Sequence, residues 1–248
     1  MKKRVSDVAP TLWGRIAHPS AWATVAVLLA LALLHTRSVY AQSPVLQRGY
    51  DAGVSGATLS ETTLTTSNVV PGSFGLAFTL PVDDKIMAQP LYVPSVPING
   101  GASHNVLYVA TMNNSLYAFD AEVSGPPLWK INLATAVGAT SPYMTDAPQT
   151  QPPTINFAYN NRNIVGRLGI LSTPVIDVSS RTLYVIACTE ENNTLVYRLH
   201  AVDITNGALR AGSGVVISGV YKTMTFDARN QWQRSSPVLS GNNVVFGF

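Results

Sequence analysis

From Gln89 to Leu133 the chain alternates apolar and polar positions in four short runs. They read QPLYVPSV, NVLYVAT, SLYAFDAE and PLWKINL, and Pro, Gly, Asn and Ser separate them. A period of two, bounded by turn residues, marks half-buried strands. Four strands within 45 residues leave no room for a helix and suit one antiparallel blade of a β-propeller. The pattern returns from Thr173 as TPVIDV, RTLYVIACT and YRLHAVDIT, and begins again from Ser236 as SPVLSGNNVVFGF. Pro90 to Asp120 spans 30 positions and Pro174 to Asp203 spans 29, so the repeats keep register. The expected fold is therefore all-β, a propeller of four-stranded antiparallel blades over residues 89–248. Its blades are 89–133, 173–219 and 236–248. That is about two and a third blades, short of the ~4–8 that close a ring, so the chain reads as part of a longer protein.

The stretches between the repeats have their own character. Asn113-Asn114 is expected to turn a hairpin, because Asn tolerates positive φ. Glu190-Glu191-Asn192-Asn193 reads as a longer, solvated hairpin tip. Trp129 is expected to pack against the neighbouring blade. Residues 134–172 carry four prolines and little periodicity, and read as an insertion loop between blades. Residues 42–88 form a lead-in segment. Within it Leu59–Leu64 suggests one helical turn, and Phe74–Leu80 alternates like a strand.

The first 41 residues change the picture of location. Lys2, Lys3 and Arg4 precede an apolar run from Ala21 to Leu34, and Val39-Tyr40-Ala41 places small residues at a cleavage site before Gln42. This is the three-part pattern of a secretory signal peptide, with a signal helix across the apolar run. The alternative is a retained anchor, with residues 22–34 as a membrane tether. The expected location is secreted, or in the periplasm or cell envelope. The leader holds five of the 16 basic residues and one of the 13 acidic ones, which leaves 11 against 12. The excess of positive charge thus belongs to the leader, and nothing points to nucleic acid.

The motif LYVAT-x-N-x-x-LYAFDAE over 107–122, followed by Gly125 and Trp129, resembles the repeat of the pyrroloquinoline-quinone-like β-propeller superfamily of secreted bacterial type. Leu199–Gly207, LHAVDITNG, matches it a second time. The resemblance covers about residues 50–248 and implies the propeller fold. It implies little about activity, because the superfamily includes dehydrogenases, envelope assembly factors and proteins of other roles. Its dehydrogenases hold a quinone against adjacent cysteines, with calcium on carboxylate and amide oxygens and a catalytic Asp.

Those features are not matched. Cys188 is the single cysteine and lies in an apolar strand. Asp120 and Asp203 belong to repeat turns, where Asp satisfies backbone donors. His104 and His200 are 96 positions apart without ligand spacing, and His200 is expected to be a satisfied strand residue. No catalytic residue and no metal ligand is assigned. One positional pattern remains. Gln89-Pro90, Thr173-Pro174 and Ser236-Pro237 each start an inner strand, and inner strands line the channel of a propeller. Gln89, Thr173, Ser236 and the nearby Arg234 are therefore the candidate ligand-binding residues at the channel mouth. The expected function is an exported, non-enzymatic binding or scaffolding module, with no cofactor and a protein or small-molecule ligand. The alternatives are a truncated quinone-dependent dehydrogenase, which would need pyrroloquinoline quinone and calcium, and an envelope assembly factor.

Overall fold

The computed structural model describes residues 43–59, 61–144, 164 and 166–248. The expected leader and tether lie outside the described residues. The described chain is all-β with antiparallel sheets, and these close into neither a barrel nor a propeller. Among the described residues no helix is long and apolar enough to cross a membrane.

Strands β1 (Leu91–Pro97), β2 (Ser103–Ala110), β3 (Ser115–Asp120) and β4 (Trp129–Asn132) form a four-stranded meander. Asn114, at φ +58°, turns the β2–β3 hairpin. A short pair, β5 (Tyr143–Met144) with β6 (Gly166–Arg167), follows. The second four-stranded sheet contains β7 (Val175–Asp177), β8 (Thr182–Glu191), β9 (Thr194–Asp203) and β10 (Val215–Val216). Two small hairpins complete the chain, β11 (Val220–Tyr221) with β12 (Met224–Thr225), and β13 (Val238–Ser240) with β14 (Asn243–Val245).

The two sheets share one apolar layer. Leu91, Tyr108, Leu116 and Trp129 of the first meet Ile176, Leu183, Val185 and Val202 of the second, all buried. Polar groups fix the register of that contact. The Ile204 carbonyl accepts from the Trp129 indole N–H at 3.1 Å and from the Tyr108 hydroxyl at 2.9 Å. Trp129 lies over Gly207, which adopts φ +75° in the turn after β9. A side chain there would meet the indole at 2.7 Å, so the turn accepts the ring only because it ends in glycine.

Edge strand β7 has three residues against ten in β8, which leaves the far part of β8 beyond its reach. The flanks of the 134–172 region cover it. The Cys188 N–H donates to the Gly169 carbonyl, and Glu190 exchanges both backbone bonds with Thr140. Leu168, Ile170 and Leu171 are buried there. The expected insertion loop is therefore partly structural at 134–144 and 166–172. Its middle, 145–163, lies outside the described residues.

The lead-in differs from expectation. Phe74–Leu80 forms no strand, and Leu76 is 84% exposed. Alternation alone does not make a strand when no neighbouring edge supplies hydrogen bonds. Of the expected turn at Leu59–Leu64, the described residues 59 and 61–64 are not helical either, although Glu61 accepts from the Thr63 and Leu64 N–H groups. What the lead-in does supply is two attachments. Val45 pairs with Tyr92, and Leu46 accepts from Ile176. Further on, Asp83 accepts from Thr111, Asn113, Ser115 and Lys130. Burial pushes the Asp83 carboxyl up, but those donors outweigh it and hold the group at about 2.

Two buried ionisable groups correct the sequence reading. Glu190 is not a solvated tip. The β8–β9 ladder runs out to Glu191 and Thr194, so Asn192-Asn193, both at positive φ, make the turn. Glu190 is buried, with no partner for either carboxylate oxygen among the described residues, and burial raises its pKa. Glu191 instead holds Arg198 through two bonds of 2.7 Å. His200 is fully buried against Gly214, with neither ring nitrogen bonded, so it is packed but not satisfied. Burial, reinforced by Arg198 and opposed by Glu191, lowers its pKa to about 4.

A histidine with a depressed folded pKa contributes full stability above its unfolded value, near 6.5. That stability is lost as pH falls from there to about 4, because only the unfolded chain can take up the proton. The loss attributable to His200 should be about 3 kcal/mol. Glu190 acts with the opposite sign, since its raised pKa makes neutral pH the costly condition. Urea unfolding at pH 7 and pH 4.5 will show His200→Leu losing most of this acid sensitivity and Glu190→Gln becoming more acid-sensitive. Equal pH dependence in wild type and His200→Leu would refute the assignment.

Candidate functional site

Strands β1, β7 and β13 are each preceded by a polar residue and a proline: Gln89-Pro90, Thr173-Pro174 and Ser236-Pro237. Proline withdraws a backbone donor and holds the preceding residue extended, so that residue's own N–H points away from its strand's ladder. The structure shows where the Gln89 and Thr173 donors go, and that Gln89 takes a bond from Gly49 in the same way. The Gly49 N–H donates to Gln89 Oε1 at 3.0 Å, the Gln89 N–H to Thr173 Oγ1 at 2.9 Å, and the Thr173 N–H to Ser236 Oγ at 3.2 Å. The three polar side chains thus stitch successive repeats together. They are strand-start caps that reach backwards into the previous repeat.

These residues also surround one cleft of about 460 Å³, lined by Arg48, Met87, Ala88, Gln89, Leu171, Thr173, Arg234 and Ser236. All four candidates from the sequence, Gln89, Thr173, Arg234 and Ser236, line this cleft. Arg48 and the apolar members were not anticipated. Arg48 sits in an aperiodic polar stretch, and only its neighbour Gly49, at φ +68°, hints at a fixed turn. Gln233 was also missed. It is 1% exposed, accepts from the Ser172 hydroxyl and donates to the Ser235 and Gly247 carbonyls. It therefore fixes the backbone that carries Arg234 and Ser236.

The stitching decides what the cleft can offer a ligand. Gln89, Thr173 and Ser236 spend side-chain oxygen lone pairs on backbone N–H groups. Their remaining capacity includes the Gln89 amide N–H groups and two hydroxyl protons, which are donors. Arg48 and Arg234 are exposed donors, and among the described residues no carboxylate lines the cleft. Arg234 lies 5.7 Å from the Trp232 ring, which orients it.

The other sequence candidates stand elsewhere. Asp120 accepts from the Glu122 N–H and pairs with His104 at 2.7 Å. Asp203 accepts from the Thr205 N–H and hydroxyl and pairs with Arg210 at 3.1 Å. Both serve their turns. Cys188 is fully buried in the second sheet, and burial pushes its thiol up to about 12, so it stays protonated and unreactive. Among the described residues no three His, Cys, Asp or Glu side chains are grouped to hold a metal. The described lining offers neither a carboxylate for calcium nor a cysteine pair, and so does not fit a calcium-bound quinone.

No protein-family model matches the chain, and no match is found among curated proteins or solved structures.

Proposed function

We propose that this chain is an exported repeat module of β-propeller type that recognises a small ligand at the mouth formed by its inner strands. It binds; it does not convert. The observation that carries this reading is the convergence of the three residue-before-proline positions, with Arg48 and Arg234, on one cleft. A volume of about 460 Å³ is that of a small-molecule site, and the lining mixes apolar surface with a few directed polar groups. The propeller reading rests on the repeated four-stranded meander and the repeat motif. Export rests on the basic, apolar and small-residue order of the first 41 residues.

The test is a thermal-shift screen of the purified chain against small organic acids, amines, sugars and amides. It includes pyrroloquinoline quinone with calcium, followed by dye-linked alcohol oxidation. The expected result is a rise in Tm with at least one class of compound and no turnover. Turnover with the quinone would replace the binding module with a dehydrogenase. No shift from any compound would remove the cleft as a ligand site.

A further inference from the structure

We infer that the cleft is built for a linear dicarboxylate with a hydrocarbon spacer; this rests on the reading of the cleft as a ligand site. The stitched residues form an ordered row, Gly49 to Gln89 to Thr173 to Ser236. Arg48 adjoins one end of that row in sequence, and Arg234 adjoins the other. Both line the same cleft. In the order of these links the two cations come first and last, on separate segments that both line the cleft. Neither has a carboxylate partner among the described residues, whereas Arg167, Arg198 and Arg210 each have one. Met87, Ala88 and Leu171 add apolar lining.

Each feature selects against another ligand class. Donors with no lining carboxylate disfavour amines and metal cations. Two guanidiniums on separate segments favour two anionic groups over one, since each guanidinium matches a carboxylate as a bidentate fork. The apolar lining suits methylenes between the two groups, where a sugar would leave hydroxyls unpaired. Each carboxylate oxygen has a second lone pair, which the amide and hydroxyl donors of the row can take beside the guanidinium fork.

The experiment is calorimetric titration of the full chain with succinate, glutarate and adipate, beside butyrate, succinamide and inorganic phosphate. Arg48→Gln and Arg234→Gln are titrated in parallel. Both side chains are exposed and neither holds the fold, and circular dichroism melts check that the variants fold as wild type. At least one dicarboxylate should bind about tenfold or more tightly than butyrate, and each variant should lose about tenfold in affinity, one charge-assisted bond. Binding should weaken as salt rises. Dicarboxylates no tighter than butyrate, or variants that bind as wild type does, would overturn the proposal. Phosphate binding tighter than any dicarboxylate would overturn it in favour of a single compact anion. If a neutral compound from the thermal screen binds while no dicarboxylate does, the cleft remains a ligand site and only this assignment fails.

Discussion

Alanine at position 169 will destabilise the domain by about 3–5 kcal/mol, the upper range for a single methyl group. The residue sits where the segment after the 145–163 region passes between the β2–β3 turn and strand β8. A Cβ built on Gly169 would stand 2.3 Å from the Met112 carbonyl oxygen and 2.8 Å from the Asn114 nitrogen. Both neighbours are backbone, so no rotamer change relieves the clash. Asn114 is itself fixed, buried at positive φ and donating to Ser141 and the Cys188 carbonyl. The substitution must either push the segment off β8, freeing the Cys188 N–H, or open the hairpin. Gly219→Ala is the control, because nothing lies within 4 Å of its Cβ position. Urea denaturation of both variants checks the claim. A Gly169→Ala midpoint equal to that of the control would show that the segment has room to move.

Trp129→Ala will cost about 3–5 kcal/mol, the range for emptying a buried aromatic site. Its distinguishing signature lies in a double-mutant cycle with Gly207. In the wild-type background, Gly207→Ala drives a methyl group into the indole and also carries the strain of φ +75°. In the Trp129→Ala background only the backbone strain remains, roughly 1 kcal/mol. The two substitutions should therefore be non-additive by roughly 1–2 kcal/mol. Trp129→Phe should fall between, because it keeps most of the ring but loses the bond to Ile204. Strict additivity across the cycle would mean that the indole and the turn are not packed as described.

The sheets were legible because hairpins are local. Alternation in LYVAT and SLYAF, with Asn at the turn, specifies a strand pair that needs only its own neighbours. The same logic misled at Phe74–Leu80, where alternation is present but, among the described residues, no adjacent edge pairs with it. It also misplaced Glu190. Charge suggested a solvated tip, yet the ladder extends further, and Thr140, fifty residues earlier, covers that edge. Such coverage is set by tertiary contact, which a local period cannot encode.

The cleft shows the same division. Gln89, Thr173 and Ser236 were found because they recur before proline at corresponding points of a repeat. Arg234 was found by its nearness to one of them. Arg48 recurs nowhere and joins the cleft through Val45 and Leu46, which tie the lead-in to β1 and β7, and through the Gly49 bond to Gln89. Gly169 carries no positive φ and no turn signature. Its need for glycine comes from the backbone it passes.

The stitching between repeats also bears on how such a chain can grow. Gln89 and Thr173 each bring one acceptor, the side chain before the proline, and one donor, the N–H of that same residue. The acceptor serves the unit before and the donor serves the unit after. A tandem duplication of one unit therefore inserts a link that matches at both ends on the day it arises, with no compensating change. The side chain need only be short or flexible and carry an oxygen, so Gln, Thr and Ser are interchangeable as connectors while differing in what they show to the cleft. Drift at these positions can retune the pocket one repeat at a time and leave the joint intact.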